Sequence, residues 1–277
     1  MKAFVLQMNS APAVDENLDF IYQQLLANSG AVKDSVVVLP ECFAFFGDSD
    51  KGNLAIAEEL SANADGKVQS RLSQLAKTFS IYLVAGTFPI VASDNKVKPI
   101  TLVYNPKGEL VEHYQKIHLF DVDVADSTGS YRESDSWQAG QEIKYFDTPW
   151  GRVGLAICYD LRFPGLFQKL SELGCRAIVL PSAFTERTGQ AHWQVLIQAR
   201  AIENQVYMLA SDQTGIHANN RETHGHSMIV DPWGSVLVDG HKEVGLFGAD
   251  LSIEAQDKVR RAMPIQEHNK FNARYKD

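Results

Sequence analysis

Short apolar runs alternate with amphipathic stretches from one end of this chain to the other, and that rhythm leaves few architectures open beyond a layered α/β framework. KAFVLQM at residues 2–8 predicts a strand, DENLDFIYQQLLANSGA a helix and SVVVLPE at 35–41 a second strand. A helical stretch around NLAIAEEL, the helix GKVQSRLSQLAKTFS and the strand IYLVAGTFP continue the series. The second half repeats the plan: RVGLAIC is a strand, FPGLFQKLSELG a helix, CRAIVLPSA a strand, GQAHWQVLIQARAIENQ a helix and VYMLASD a strand. Pro164 suits a first helical turn and Gly174 a C-terminal cap, with Leu166, Phe167, Leu170 and Leu173 on one face.

Hairpins punctuate this plan. TLVYNPKGELVEHYQK, YFDTPWGRVGLAI and SMIVDPWGSVLVDG each set Pro-x-Gly between β-rich arms, with Pro at the second turn position and Gly at the fourth. Such antiparallel units predict mixed sheets. Two β-α-β halves, each with a reactive residue at a strand end, predict two sheets packed face to face with helices outside. No low-complexity linker divides the chain, and 277 residues at 45% hydrophobic content read as one domain, 1–277, with 263–277 as a C-terminal tail.

Charge narrows the partners. A net charge of −8 and the lack of a basic stripe with interleaved aromatics argue against a nucleic-acid surface. The tail KVRRAMPIQEHNKFNARYKD is mixed in sign and reads as a docking or interface segment. MKAFVLQMNSAPAV has no signal-peptide pattern and no run approaches a membrane span, so a cytoplasmic protein without membrane attachment is expected. Cys42, Cys158 and Cys175 are odd in number, form no CxxC pair and read as reduced thiols.

Three β-rich runs end in a polar or reactive group: VVVLPE at Glu41, LVEHYQK at Lys116 and GLAIC at Cys158. Each taken singly has an ordinary reading as solvated loop glutamate, surface lysine or inert core thiol. Cys42 adjoins Glu41, and strand alternation would point the two to opposite faces, which argues against Cys42 as a nucleophile. Cys175 begins a strand and reads as core, as does the helical-period group Trp193, Leu196 and Ile197. In THGHS, His224 and His226 would share one strand face; they read as hydrogen-bonded histidines at a sheet edge, and no metal is expected.

Taken together, LPECF, YQKIHLFDVDV and ICYDLRFP, in this order, resemble the glutamate, lysine and cysteine segments of the nitrilase or carbon-nitrogen hydrolase superfamily. The resemblance continues through PSAFTERTGQAHWQVLIQARAIENQVY and RETHGHSMIVDPWG, and so covers nearly the whole chain. It implies a four-layer α-β-β-α sandwich, an amide-hydrolysing enzyme without cofactor or metal, and a homodimer or larger homo-oligomer. Cys158 would be the nucleophile and Glu41 its general base. Lys116, protonated, would hold the oxyanion with the backbone N–H of Tyr159. Glu133, in SYRESDSW, matches a second family glutamate that orients the lysine.

Within the superfamily the chain looks most like the deaminated glutathione amidases, which implies hydrolysis of that substrate to 2-oxoglutarate and cysteinylglycine, a metabolite repair. The ω-amidase branch, which splits α-ketoglutaramate, and N-carbamoyl-type hydrolases are the alternatives. The first two substrates carry carboxylates, so a basic pocket group is expected, with Arg187, Arg221 and His217 as candidates. The chain departs from the branch pattern at Ile216, at His224 and in the tail EHNKFNARYKD.

Overall fold

The computed structural model describes residues 1–47, 50–93, 95–124 and 129–274. The last three positions of the expected tail, 275–277, lie outside the described residues. In β1 (Lys2–Gln7) the side chains divide by alternation. Ala3 and Val5 join one buried cluster and Phe4 and Leu6 another, so this strand separates two apolar layers.

The rest of the fold grows from that division. Along the chain follow α1 (Val14–Ala27), α2 (Ser29–Val32), β2 (Ser35–Leu39), α3 (Asp50–Ile56), α4 (Lys67–Phe79), β3 (Tyr82–Val91), β4 (Val97–Tyr104) and β5 (Leu110–Gln115). A short ribbon pairs β6 (Asp121–Asp123) with β7 (Ser130–Arg132). Next come β8 (Tyr145–Thr148), β9 (Gly151–Leu155), α5 (Pro164–Glu172), β10 (Cys175–Ser182), α6 (Glu186–Asn204) and β11 (Tyr207–Asp212). A second ribbon pairs β12 (Thr214–Ile216) with β13 (Glu222–His224). Then β14 (Met228–Val230), β15 (Val236–Asp239), β16 (Gly245–Asp250) and α7 (Ile253–Ala262) follow.

One sheet has the order β16-β1-β2-β3-β4-β5 and the other β15-β14-β11-β10-β9-β8. Each has three parallel strands at its centre, β1-β2-β3 in one and β9-β10-β11 in the other. The flanking strands pair antiparallel, through the expected hairpins β4-β5, β8-β9 and β14-β15. Both sheets are therefore mixed. The inner faces meet: Val36, Val38, Val84 and Val103 share a cluster with Leu155, Met208 and Ala210. On the outer face of the first sheet, Val37, Leu39, Leu83 and Leu102 pack with Leu18, Ile21 and Leu25 of α1 and Leu72, Leu75 and Phe79 of α4. Phe167 and Leu170 of α5 with Trp193 and Ile197 of α6 cover the second sheet, giving the α-β-β-α layering. Each fully buried Leu, Ile or Phe contributes about 1.5–3 kcal/mol. Gly86 lets the sheets approach closely, since a Cβ there would lie 2.7 Å from Pro181 of β10.

The boundaries differ from the sequence expectation at three informative places. The helix foreseen over 189–205 starts earlier, at Glu186, because the Thr185 hydroxyl caps it by accepting the Thr188 N–H. The strand foreseen to end at Cys158 ends at Leu155. β2 stops at Leu39, so Glu41 and Cys42 sit in a turn, with Cys42 at φ 60°. Strand alternation does not govern that pair, and both line one cavity.

Candidate active site

Cys158 is placed by a sharp change of backbone direction. Ile157 is extended, Cys158 has φ 43°, and residues Cys158–Arg162 form a short 3-10 helix. A left-handed conformation at a non-glycine residue costs of order 1–3 kcal/mol and persists only where its surroundings over-determine it. Here they do. The Asp160 carboxylate, fully buried, accepts from Ile157 N (2.9 Å), Tyr114 Oη (2.8 Å) and His118 N (3.2 Å), and lies 2.7 Å from His118 Nδ1. Arg200 Nε and Nη2 donate to Leu161 O at 3.0 and 2.8 Å. The thiol stands at the start of this helix, and the Tyr159 N–H lies in its first turn, where amides have no intrahelical acceptor.

The same Asp160 reaches the strand that carries the lysine. Lys116 directly follows β5, and its backbone is held by Lys116 N to Pro99 O (3.0 Å) and Gly140 N to Lys116 O (2.8 Å). The residue is 1% exposed, with Nζ 2.9 Å from Glu41 Oε1 and 3.0 and 2.9 Å from the two oxygens of Glu133. Glu133 opens its own short 3-10 helix and also accepts the Phe120 N–H at 2.6 Å. Glu41 is fixed through its backbone, whose carbonyl accepts from Gln213 Nε2 at 2.9 Å. A thiol, two carboxylates and an ammonium thus meet in one buried cluster.

Electrostatics assign the protons. Burial opposes the charge on Lys116, but Glu133 and Glu41 outweigh it and hold its pKa well above the ordinary lysine value. Burial pushes Glu133 up, against the pull of Lys116. Burial also pushes the Cys158 thiol well up; the negative charge of Glu41 and the hydrogen bond to it act in the same direction, while Lys116 opposes them. The resting thiol therefore keeps its proton and Lys116 its charge, so attack on a carbonyl requires transfer of the thiol proton.

These groups open into a cavity of ≈370 Å³ whose wall includes Cys42, Phe46, Phe120, Tyr131, Trp137, Tyr159 and Phe184. Of the three candidate carboxylate ligands, Arg221 lines it. Its Nη2 donates to Ala183 O (2.6 Å), its guanidinium lies 5.1 Å from the Tyr131 ring centre, and its Nε is buried without a hydrogen-bond partner. Arg187 is exposed and stands outside the cavity wall. His217 is buried, stacked on Phe46 at 3.7 Å, and its ring nitrogens face Ser10 O (3.3 Å) and Thr223 Oγ1 (2.8 Å). Burial lowers its pKa to about 4, so it is neutral at neutral pH and buttresses the wall from behind. Two unforeseen arginines join Arg221 in the wall, Arg132 and Arg162. Arg162 stands four residues after Cys158, and the short 3-10 helix that begins at the cysteine brings it into the same cavity wall.

Comparison with known proteins defines the class as enzymes that hydrolyse carbon–nitrogen bonds, with amidases among them. The chain belongs to the carbon-nitrogen hydrolase family, whose model matches residues 2–261. A deaminated glutathione amidase from Synechocystis is 40% identical over 97% of this chain and 98% of its own length. Omega-amidase NIT2 from Xenopus tropicalis is 35% identical, covering 97% of this chain and 94% of its own. The crystal structure of the Caenorhabditis elegans NitFhit protein superposes with a TM-score of 0.88 at 33% identity; the match covers 97% of this chain and 65% of that longer one.

Proposed function

We propose that the protein is a thiol amidase in which Cys158, Glu41 and Lys116 carry the reaction, with Glu133 holding the lysine. The observation that carries this reading is the ammonium of Lys116 bridging Glu41 and Glu133 at 2.9–3.0 Å beside the hydrogen-bonded Cys158 thiol. Glu41 takes the thiol proton as Sγ bonds to the amide carbon. The resulting oxyanion is held by Lys116 Nζ and the Tyr159 N–H; losing one such donor typically costs about 100 to 1,000-fold in rate. Glu41 returns the proton to the nitrogen, the C–N bond breaks, and an amine leaves a thioester on Cys158. Water then loses a proton to Glu41 and attacks the thioester, and the proton returns to sulfur as the acid departs.

The substrate is a small amide bearing carboxylates, most closely deaminated glutathione, cleaved to 2-oxoglutarate and cysteinylglycine. The 40% identity to the Synechocystis amidase and the three arginines of the wall, Arg132, Arg162 and Arg221, support this assignment. The omega-amidase relative supports α-ketoglutaramate as the second substrate to test. Residues 1–277 work as one carbon-nitrogen hydrolase domain with 263–277 as its tail. A homo-oligomer is supported by the exposed Val195 and Ile202 of α6 and nearby Trp233. Three free cysteines favour a reducing cytoplasmic setting, and among the described residues no helix is long and apolar enough to cross a membrane.

The test follows 2-oxoglutarate release from both amides side by side, with Cys158→Ala as the blank. Turnover of deaminated glutathione that vanishes in the variant is expected, and higher kcat/KM for α-ketoglutaramate would move the chain to the second reading. Turnover surviving in Cys158→Ala would remove the thiol from the mechanism.

A further inference from the structure

Outside the cavity, the THGHS segment and the turn after β15 bring a second set of polar side chains together. The expectation of two histidines on one strand face does not describe it: β13 ends at His224, and Gly225 and His226 both have positive φ, 73° and 55°. The rings nevertheless stack, 4.7 Å apart, and His224 Nδ1 is turned to Glu186 at 3.4 Å. His226 Nδ1 faces Asp239 instead, 3.1 Å from each carboxylate oxygen. His241 Nδ1 approaches the same carboxylate at 3.5 Å. One ligand atom from each of His226, Asp239 and His241 lies within 4.8 Å of the others.

We infer that His226, Asp239 and His241 form a binding site for a zinc-type divalent transition metal. Ligands held 2.0–2.1 Å from a tetrahedral zinc are separated by about 3.3–3.4 Å. From Asp239 Oδ2, His226 Nδ1 stands at 3.1 Å and His241 Nδ1 at 3.5 Å, two separations that bracket that edge. Two imidazoles and one carboxylate suit zinc, cobalt, nickel or copper better than magnesium or calcium, which prefer all-oxygen shells. The ligand positions are also preset by the backbone. His226 and His241 both hold left-handed conformations, at φ 55° and 49°, and the His226 N–H donates to His241 O at 2.6 Å. The His241 N–H donates to Asp239 Oδ1 at 2.8 Å, and the Trp193 indole N–H fixes the His226 carbonyl at 2.8 Å.

The nearest cation does not occupy the site, because Lys242 Nζ pairs with Glu186 and donates to His224 O. His241 is 71% exposed in its side chain, so a metal has direct entry and a fourth, solvent-facing position. With His226 before β14, Asp239 at the end of β15 and His241 in the turn after it, the metal would brace the two segments together.

The experiment uses the full chain as Cys158→Ala, so that the reactive thiol does not capture metal, after dialysis against a chelator. Equilibrium dialysis with zinc chloride should load one equivalent, and thermal unfolding should rise by about 5–10 °C at zinc a hundredfold above its Kd. Magnesium chloride should raise it by far less. His241→Ala, at an exposed position, and His226→Asn, which keeps a residue that tolerates positive φ, should each weaken zinc binding at least about tenfold. Their metal-free unfolding temperatures show whether they are folded. Cobalt(II) in place of zinc should give the intense visible bands of a tetrahedral centre, lost in Asp239→Asn. Zinc uptake that survives these substitutions, equal stabilisation by magnesium, or no uptake at all would overturn the site.

Discussion

Lys116 sits between Glu41 and Glu133 with its side chain almost sealed from water. A cation buried there without partners would cost several kcal/mol, so the carboxylates are a folding requirement as well as parties to the proposed reaction. Glu41→Gln keeps the size of the side chain and removes the proposed base. It should lower kcat by about 100 to 10,000-fold, and a steady-state comparison with Glu133→Gln should show the smaller kcat loss in the latter. Equal losses would deny Glu41 its separate role. The buried His217 supplies a second prediction, on acid stability. Its folded pKa of about 4 lies below the ordinary 6.5, so between those values the unfolded chain binds more protons than the folded one. The stability from keeping it neutral is complete above about pH 6.5 and is lost as pH falls through about 4. Thermal unfolding of His217→Gln should therefore change less between neutral pH and pH 4 than that of the parent; equal slopes would count against the assignment.

At this scale the sequence told most about the residues embedded in distinctive segments. Glu41, Lys116, Cys158 and Glu133 were legible because each stands in a stretch whose order and neighbours match the superfamily. Arg187 and His217 are candidates only through their place in plausible loops, and loop side chains have no periodicity from which direction can be read. Arg162 and Asp160 were in view inside CYDLRFP but carried no signal until the backbone turned at Cys158.

Between residues and whole, the short helix Cys158–Arg162 is the element on which the proposed reaction depends. The alternation of apolar residues in RVGLAIC suggested a strand up to the thiol, since nothing in that pattern marks a turn into left-handed backbone at Cys158. What sets the turn is a contact distant in sequence. Asp160 gathers donors from Ile157, Tyr114 and His118, and so ties the cysteine turn to the end of the lysine strand. Asp160→Asn removes a charged acceptor of these bonds, and hydrogen bonds to charged groups contribute about 1.5–3 kcal/mol each. The variant should lose about 10 to 100-fold in kcat with KM nearly unchanged, because it misplaces Cys158 relative to Lys116 without touching the wall. A rise in KM at constant kcat would assign Asp160 to substrate binding instead. The helices and hairpins, by contrast, were readable from local chemistry: Pro164 at the first turn of α5, Pro-x-Gly between paired arms, and the apolar stripe of α4.

Across the whole molecule, the two sheets are tied by more than apolar contact. Thr214 N donates to Met8 O at 3.0 Å, Ser211 Oγ bonds Leu6 O, and Gln213 joins Ser10 to the Glu41 backbone. The half-by-half repeat foretold two sheets. It did not foretell that β16, after all the strands of the second sheet, returns to the edge of the first and pairs with β1 from Lys2↔Asp250 to Gln7↔Gly245. Such late closures are set by which edge is left unpaired, which no local pattern encodes. Chemical denaturation should accordingly give one cooperative transition, coincident by far-UV and near-UV circular dichroism. Two separated transitions would mean that the halves unfold independently.

The pairing of β1 with β16 also bears on how the chain is made. On the ribosome, β1 emerges well before the strand that covers its outer edge, which is encoded 238 to 248 positions later. At about 5–20 residues per second, that edge waits roughly 10–50 s for its partner. Throughout that interval a nascent chain presents KAFVLQ, an apolar strand with an open row of backbone donors and acceptors, to every neighbouring polypeptide. Protection of the nascent β1 edge during synthesis is therefore built into the demands of this topology.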